Sequence, residues 1–416
     1  MNAPEPFQSA PGAAAASWWT SAVAFLGGIG GGVVFPILPT LGLRLGLSAA
    51  LVGLILAANR ITRIGFNPVT GALVDRFGGK GPVTAGLVIE TGAIAMFVLA
   101  LQARLPGLWF LGGRIVWGVG SSLLIVGAMA AVLAISGHGD RGRLVGRVRM
   151  SMSLGLPGGL LLGGVLADAA SPRSAFVTAA GVTGAAALLA LWGVPARARR
   201  PDEDAAPGPS GASVWKALWR EPALRVIWIY NLLVFLTVQG VLLSTVVLLI
   251  AARGLFVPGL HEQGSAGILM AVLMVFRGIA SISVGRWLDR SASRTAPLLL
   301  ALAAMVGGFA GLAVAHDLVT AMVSLLAIGA GTGALTIPLL ALLGDITDRS
   351  QRGRALAGYQ VFGDIGGSIG PIVGLQLGAS GGFTALYAGL AVVLAASLPL
   401  VRWLRRRERG AAGDSA

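Results

Sequence analysis

The sequence contains no cysteine in 416 residues, which excludes a disulfide-stapled secreted domain, thiolate metal sites and cysteine nucleophiles. Charge is equally scarce. Charged residues make up 12% of the chain, against roughly 25% in an ordinary soluble domain. Lysine is nearly missing, at Lys80 and Lys216 only, and the three histidines, His138, His261 and His316, fall in three different polar segments with no partner at metal-ligand spacing. No Gly-x-x-x-x-Gly-Lys-Ser/Thr stretch occurs, so the chain has no phosphate-cradling loop with which to drive pumping by ATP. The Gly27–Gly32 cluster lacks the lysine and the preceding strand that such a loop needs. No Ser/His/Asp constellation can be assembled inside the apolar runs, and the reading is of a non-enzyme without cofactor or metal.

What is present is apolar surface. Hydrophobic residues make up 55% of the chain and mean hydropathy is +0.82. A bilayer-crossing helix needs roughly 20 mainly apolar residues, and twelve such runs can be placed: 18–39, 48–70, 82–102, 107–132, 145–167, 174–194, 223–251, 264–287, 296–315, 319–344, 355–378 and 382–404. The expected fold class is an all-α integral membrane protein of twelve transmembrane helices in two pseudo-symmetric six-helix bundles, residues 1–194 and 223–416. The net charge of +14 then needs no nucleic acid. With the N-terminus inside, 23 Lys/Arg fall on the cytoplasmic side and four outside, Arg44, Arg104, Arg173 and Arg253; Arg60, Arg63, Arg114 and Arg277 lie within runs. Positive-inside asymmetry predicts cytoplasmic termini in a bacterial-type inner membrane. The first 17 residues hold no basic residue, so the first run is expected to remain as a span rather than act as a cleaved signal. Residues 195–222, rich in Pro, Gly and Ser, read as a cytoplasmic linker between the bundles, and Val214–Leu224, with Trp215 and Trp219 beside Lys216 and Arg220, as a short interfacial helix.

The two halves repeat. Gly71-Ala-Leu-Val-Asp75-Arg76-Phe-Gly78-Gly-Lys80 returns 214 residues later (285 − 71) as Gly285-Arg-Trp-Leu-Asp289-Arg290-Ser-Ala-Ser-Arg294. Arg63 maps onto Arg277 by the same offset, and Gly155, Gly159 and Gly163 map onto Gly366, Gly370 and Gly374 at an offset of 211. A duplicated six-helix unit is a recurrent transporter architecture with its substrate site between the halves. On these motifs the chain resembles the major facilitator superfamily over essentially its whole length. Gly71-x-Leu-x-Asp75-Arg76-x-Gly78 matches that superfamily's loop motif between the second and third helices, and Arg114-x-x-x-Gly118-x-Gly120 resembles its second motif. The glycines of the fifth helix resemble the motif of the twelve-helix drug:proton antiporters, although Leu160 stands where a proline is expected; the eleventh helix carries the full form, Gly366-x-x-x-Gly370-Pro371-x-x-Gly374. The resemblance implies that Asp75 and Asp289 latch a facing helix of the opposite half, near Gly358 for Asp75. Small residues four apart let helix backbones approach closely, and these stripes are expected to pack one half against the other.

An ionised side chain in hydrocarbon costs about 2.5–3.5 kcal/mol on insertion scales and is kept only with a partner or a use. Among 17 acidic residues only Glu90 and Asp364 lie deep inside spans. Asp364 is the first candidate for proton coupling, the alternative being a buried salt bridge to an arginine such as Arg277; Glu90 is the second, unless it pairs with Arg60 or Arg63. Arg114 joins them as a coupling residue. Arg60 and Arg114 have no arginine at their repeat positions, and such asymmetric charges suggest function. Substrate-cavity candidates are Phe25, Phe35, Arg60, Arg114, Trp117, Ser121, Asn231, Gln239, Thr332, Thr336, Tyr359 and Gln360; Trp228 and Tyr230 read equally as cavity or interface-belt residues. The resulting expectation is proton-coupled export of small amphiphilic compounds by a monomer whose partners are substrate, protons and lipid. Uptake or exchange of an organic anion is the alternative, and a non-transporting receptor or scaffold the third reading.

Overall fold

The computed structural model describes residues 12–136, 140–196, 218–291, 293–348 and 351–413. Among these there is no strand. The first half consists of α1 (Ala13–Gly32), α2 (Val34–Arg44), α3 (Ala49–Phe77), α4 (Lys80–Ala100), α5 (Pro106–Ile135), α6 (Arg141–Ala169) and α7 (Pro172–Gly193). The second consists of α8 (Pro222–Val234), a π-helical segment Phe235–Leu242, α9 (Leu243–Arg253), α10 (Glu262–Leu288), α11 (Ala296–Val314), α12 (Leu318–Ile346), α13 (Arg352–Ala396) and α14 (Leu398–Gly413).

Among the described residues, eleven continuous helices are long and apolar enough to cross a bilayer. α1 and α2 together make the first, Ala14–Arg44, and α8, the π segment and α9 make the seventh, Pro222–Arg253. The last, Arg352–Glu408, runs for 57 residues; at 1.5 Å per residue that is ~85 Å, far more than the ~30 Å of hydrocarbon one span must cover. It is broken at Gly382, whose φ of 77° and ψ of 159° suit a residue without Cβ. This one helical run therefore supplies the eleventh and twelfth spans.

Local sequence sets the helix starts. Pro106, Pro172 and Pro222 stand at first-turn positions, where a missing N–H costs nothing. Ser171 accepts from the Ser174 N–H and Asp317 from the Thr320 N–H at 2.8 Å. Of the expected interfacial helix 214–224, residues 214–217 lie outside the described residues. Leu218–Arg220 are helical, and Glu221 follows as the cap of α8, its side chain accepting from the Ala223 N–H. The rest of the linker, residues 197–213, also lies outside the described residues.

By contacts the chain forms two compact units, residues 1–47 with 58–205, and residues 48–57 with 206–416. In the first unit, rings of Phe97, Phe110 and Phe176 meet with centroids 5.7–6.4 Å apart and tie α4, α5 and α7 together. In the second, Trp219, Trp228 and Phe362 form a comparable triad at 5.5–5.9 Å.

The glycine stripes do not act between halves. A Cβ on Gly155 would lie 2.2 Å from Phe25 O, one on Gly159 2.0 Å from Ile29 O, and one on Gly163 2.7 Å from Val33 Cα. All three belong to the contact of α6 with α1, inside the first unit. Likewise Gly366 meets Leu232 O at 2.2 Å and Gly370 meets Gly240 Cα at 2.5 Å, so α13 is seated on α8 and the π segment inside the second unit. The expectation of packing across the halves is corrected: each stripe seats the fifth helix of a half on its own first helix, where backbone approach replaces side-chain burial.

Candidate functional site

In the first unit a polar ladder joins α3 and α5. Arg114 Nη2 donates to Asn59 Oδ1 at 2.7 Å, and eight residues further along each helix Ser122 Oγ donates to Asn67 Oδ1 at 2.7 Å; Thr70 Oγ1 and Ser122 Oγ are also 2.7 Å apart. Both rungs connect positions 55 residues apart, so the two helices run parallel with a fixed register. Gly118 lies between the rungs, where a Cβ would meet Asn59 O and Thr62 Cβ at 2.6 Å. The Arg114–Gly118 motif thus positions a buried guanidinium, 1% exposed, against the α3 backbone. Arg60 and Arg63 act on Arg114 electrostatically, so three cationic side chains gather at this level. Asn59, Asn67 and Thr70 escaped the sequence reading; the signal available was two polar pairs spaced by eight, two turns, on two apolar helices.

Glu90 is 1% exposed in α4 and packs where α4 meets α5, with its Cγ 2.8 Å from the position of a Gly120 Cβ. Among the described residues its Oε2 has no hydrogen-bond partner and it makes no ion pair, which corrects the expected pairing with Arg60 or Arg63. Trp117 is buried with its ring against Gly30, and Phe35 is buried in α2. Ser121 donates to Gly118 O at 3.2 Å, while Phe25 remains 36% exposed.

In the second unit Asp364 is 7% exposed in α13, one turn before Ser368, whose hydroxyl donates to the Asp364 carbonyl at 2.7 Å. Arg277 lies within electrostatic reach of Tyr359. Asn231 Nδ2 donates to Tyr359 O at 2.5 Å and Trp228 Nε1 to Ala355 O at 3.1 Å, both fastening α8 to α13. Tyr230 OH reaches Ser397 O at 2.6 Å. Trp228 and Tyr230 are each 1% exposed, so neither belongs to an interface belt; their polar tips are consumed by backbone carbonyls. Thr332 and Thr336 return their hydroxyls to Ile328 O and Thr332 O. Gln239 is buried in the π segment, a geometry that recurs at functional sites, and Gln360 is exposed.

The repeated motif occupies equivalent places in the two units. Asp75 and Arg76 are exposed in the last turn of α3, which Gly78 ends with a φ of 73°. Asp289 caps the end of α10 and Arg290 follows it, both exposed. Gly71 and Gly285 each face open space, so both approach surfaces are free of local obstruction. The loop after Arg290 is held by Glu408 of α14. Its carboxylate accepts from Ser293 Oγ at 3.0 Å, from the Thr295 N–H at 3.2 Å, and from the Arg294 N–H and the Thr295 hydroxyl. At the other end of the unit Arg253 donates to the carbonyls of Leu312, Ala313 and Ala315, the C-terminus of α11, and to Thr384 Oγ1.

Comparison with known proteins places this arrangement. A family model described as Major Facilitator Superfamily matches residues 20–261 and 247–416. "Multidrug resistance protein 1" of Bacillus subtilis (strain 168) is 29% identical over 178 residues, 43% of this chain and 44% of that protein. "Tetracycline resistance protein, class C" of Escherichia coli is 34% identical over 172 residues, 40% of this chain and 41% of that one. The chain thus aligns with less than half the length of these curated relatives. Two solved structures share the fold: the nucleoside transporter NupG, with a TM-score of 0.73 at 15% identity over 92% of this chain and 99% of that one, and a bacterial homologue of the lysosomal transporter Spinster in an inward-facing, occupied conformation, with a TM-score of 0.73 at 16% identity over 97% and 98%. With twelve apolar spans, a family match along almost the whole sequence and a shared fold, the chain belongs to the major facilitator superfamily.

Proposed function

We propose that this protein exports small amphiphilic organic compounds across the cytoplasmic membrane in exchange for protons, with Asp364 as the coupling acid. The observation that carries the reading is the place of Asp364: a titratable carboxyl nine-tenths buried in the middle of a span, where an ionisable group is kept only with a partner or a use. The names of the relatives, multidrug and tetracycline resistance proteins, support the substrate class. Alternating access between the two halves is the mechanism that the duplicated architecture supports. A proton taken up on Asp364 from one side and released to the other is exchanged for substrate; Glu90 and Arg114 are the next coupling candidates. Asp75 and Asp289 bias the bundle between its states, and both termini and the 195–222 linker are cytoplasmic.

The test is accumulation in proteoliposomes with an imposed pH gradient, using a fluorescent cationic dye and tetracycline as probes. Asp364→Asn is expected to abolish gradient-driven accumulation while retaining downhill exchange of the same probe. Normal concentrative transport by that variant would move coupling elsewhere, first to Glu90.

A second reading, exchange of an organic anion, is favoured by one observation: Arg60, Arg63 and Arg114 gather in the first unit. Transport of a carboxylate probe, lost in Arg60→Gln and indifferent to Asp364→Asn, would select it.

A further inference from the structure

We propose that a crevice between α11 and α12, open to the side of the second unit, is a binding site for small apolar molecules that carry one hydrogen-bond acceptor and arrive dissolved in the bilayer. The crevice has a volume of about 430 Å³, within the range of small-molecule sites. Gly307, Gly308 and Gly311 of α11 form one wall, and Val319, Thr320, Val323 and Ser324 of α12 form the other, the Thr320 hydroxyl being spent on Asp317. Val319 and Val323 are 71% and 59% exposed, so on an apolar helix the mouth faces lipid.

The floor holds a polar atom without a use. Ser324 is 5% exposed and its Oγ is aimed across the crevice, 2.5 Å from where a Gly311 Cβ would stand. Serines in membrane helices ordinarily return the hydroxyl to the carbonyl four residues earlier, as Ser153, Ser244, Ser368 and Ser380 do here. Among the described residues the Ser324 hydroxyl meets no hydrogen-bond partner. The hydroxyl is open to the crevice, and an acceptor brought by a ligand would satisfy it.

Depth selects the occupant. Asp317 caps α12 at its polar end, and Ser324 lies six residues beyond Leu318, ~9 Å along the axis. The crevice opens at Val319 and Thr320, in the first turn of α12, and Ser324 lies one turn deeper along the helix. A carbonyl or ether oxygen at the depth of Ser324 belongs to a molecule dissolved among the acyl chains, and the glycine wall gives a ring room to lie flat against the backbone. The inference does not rest on the export reading.

The probe is benzophenone, an apolar ketone of suitable size that attaches to nearby C–H bonds under near-ultraviolet light. The full chain is reconstituted in phosphatidylcholine vesicles without an ion gradient, labelled, and mapped by peptide mass spectrometry. Saturable labelling is expected within residues 307–327. Gly307→Leu puts a side chain into the crevice from a position where the Cβ itself meets nothing within 4 Å, and should lower that labelling by about tenfold. Ser324→Ala should lower it roughly three- to tenfold, the loss of one hydrogen bond, while competition by diphenylmethane, the same shape without the oxygen, should be weak. Labelling spread evenly over the spans, unaffected by Gly307→Leu, or competed equally by diphenylmethane would overturn the proposal. So would a co-purified phospholipid or a second copy of the chain seated in the crevice and displaced by Gly307→Leu in native mass spectra.

Discussion

Replacing Gly159 by alanine tests the packing that assembles the first unit. The new Cβ would stand 2.0 Å from Ile29 O, 2.8 Å from Ile29 C and 2.9 Å from Gly32 Cα. All three are backbone atoms, so no side chain can rotate away. To restore an ordinary contact of 3.4 Å, α6 and α1 must separate by about 1.4 Å (3.4 − 2.0) or tilt by an equivalent amount. Overpacking of a tight interface costs about 1–3 kcal/mol, and a clash with unyielding backbone belongs at the upper end. Alanine regains up to about 1 kcal/mol of helix preference over glycine. The net loss is about 2 kcal/mol, which for a unit of this size lowers Tm by roughly 4–8 °C. The control is Gly146→Ala in the same helix, where a Cβ meets nothing within 4 Å and only the propensity gain remains. Thermal unfolding of the purified variants in detergent, followed by tryptophan fluorescence, reads the difference. Gly159→Ala melting at or above Gly146→Ala would refute the argument that backbone contact holds these helices. Gly366→Ala, 2.2 Å from Leu232 O, should show the same loss in the second unit.

Asp75→Asn is expected to slow transport in proteoliposomes while leaving substrate affinity nearly intact; a large loss of affinity with unchanged turnover would contradict a latch. Glu408→Ala removes the acceptor for four donors around the start of α11, and should cost about 1.5–3 kcal/mol in detergent unfolding, whereas an unchanged melting temperature would show the loop to be held otherwise. The Thr320 hydroxyl and N–H beside Asp317 hold its carboxyl below the usual aspartate range. Because the folded value is lowered, the cap stabilises α12 above about pH 4 and is lost as pH falls through the folded value. Wild type should therefore melt above Asp317→Ala at neutral pH and converge with it in acid; a gap that widens in acid would reverse the sign.

Span number, duplication and family were legible in the sequence because hydrocarbon imposes length and composition on every helix that crosses it, and because two loops kept the same Asp-Arg pair 214 residues apart. Burial of Glu90 and Asp364 was legible for the same reason, since each lies mid-run. Partners were not. Glu90 meets Gly120 instead of an arginine, and the Gly155–Gly163 and Gly366–Gly374 stripes seat helices within their own halves. Hydropathy states how far a residue lies from water. It carries no information on the rotation of a helix about its axis, and in a span apolar on all sides no polar face reveals that rotation. Only the tertiary structure sets it, by bringing Asn59 to Arg114, Asn67 to Ser122 and a lone serine hydroxyl to the floor of a glycine-walled crevice, through backbone contacts that leave no pattern longer than a glycine every fourth residue.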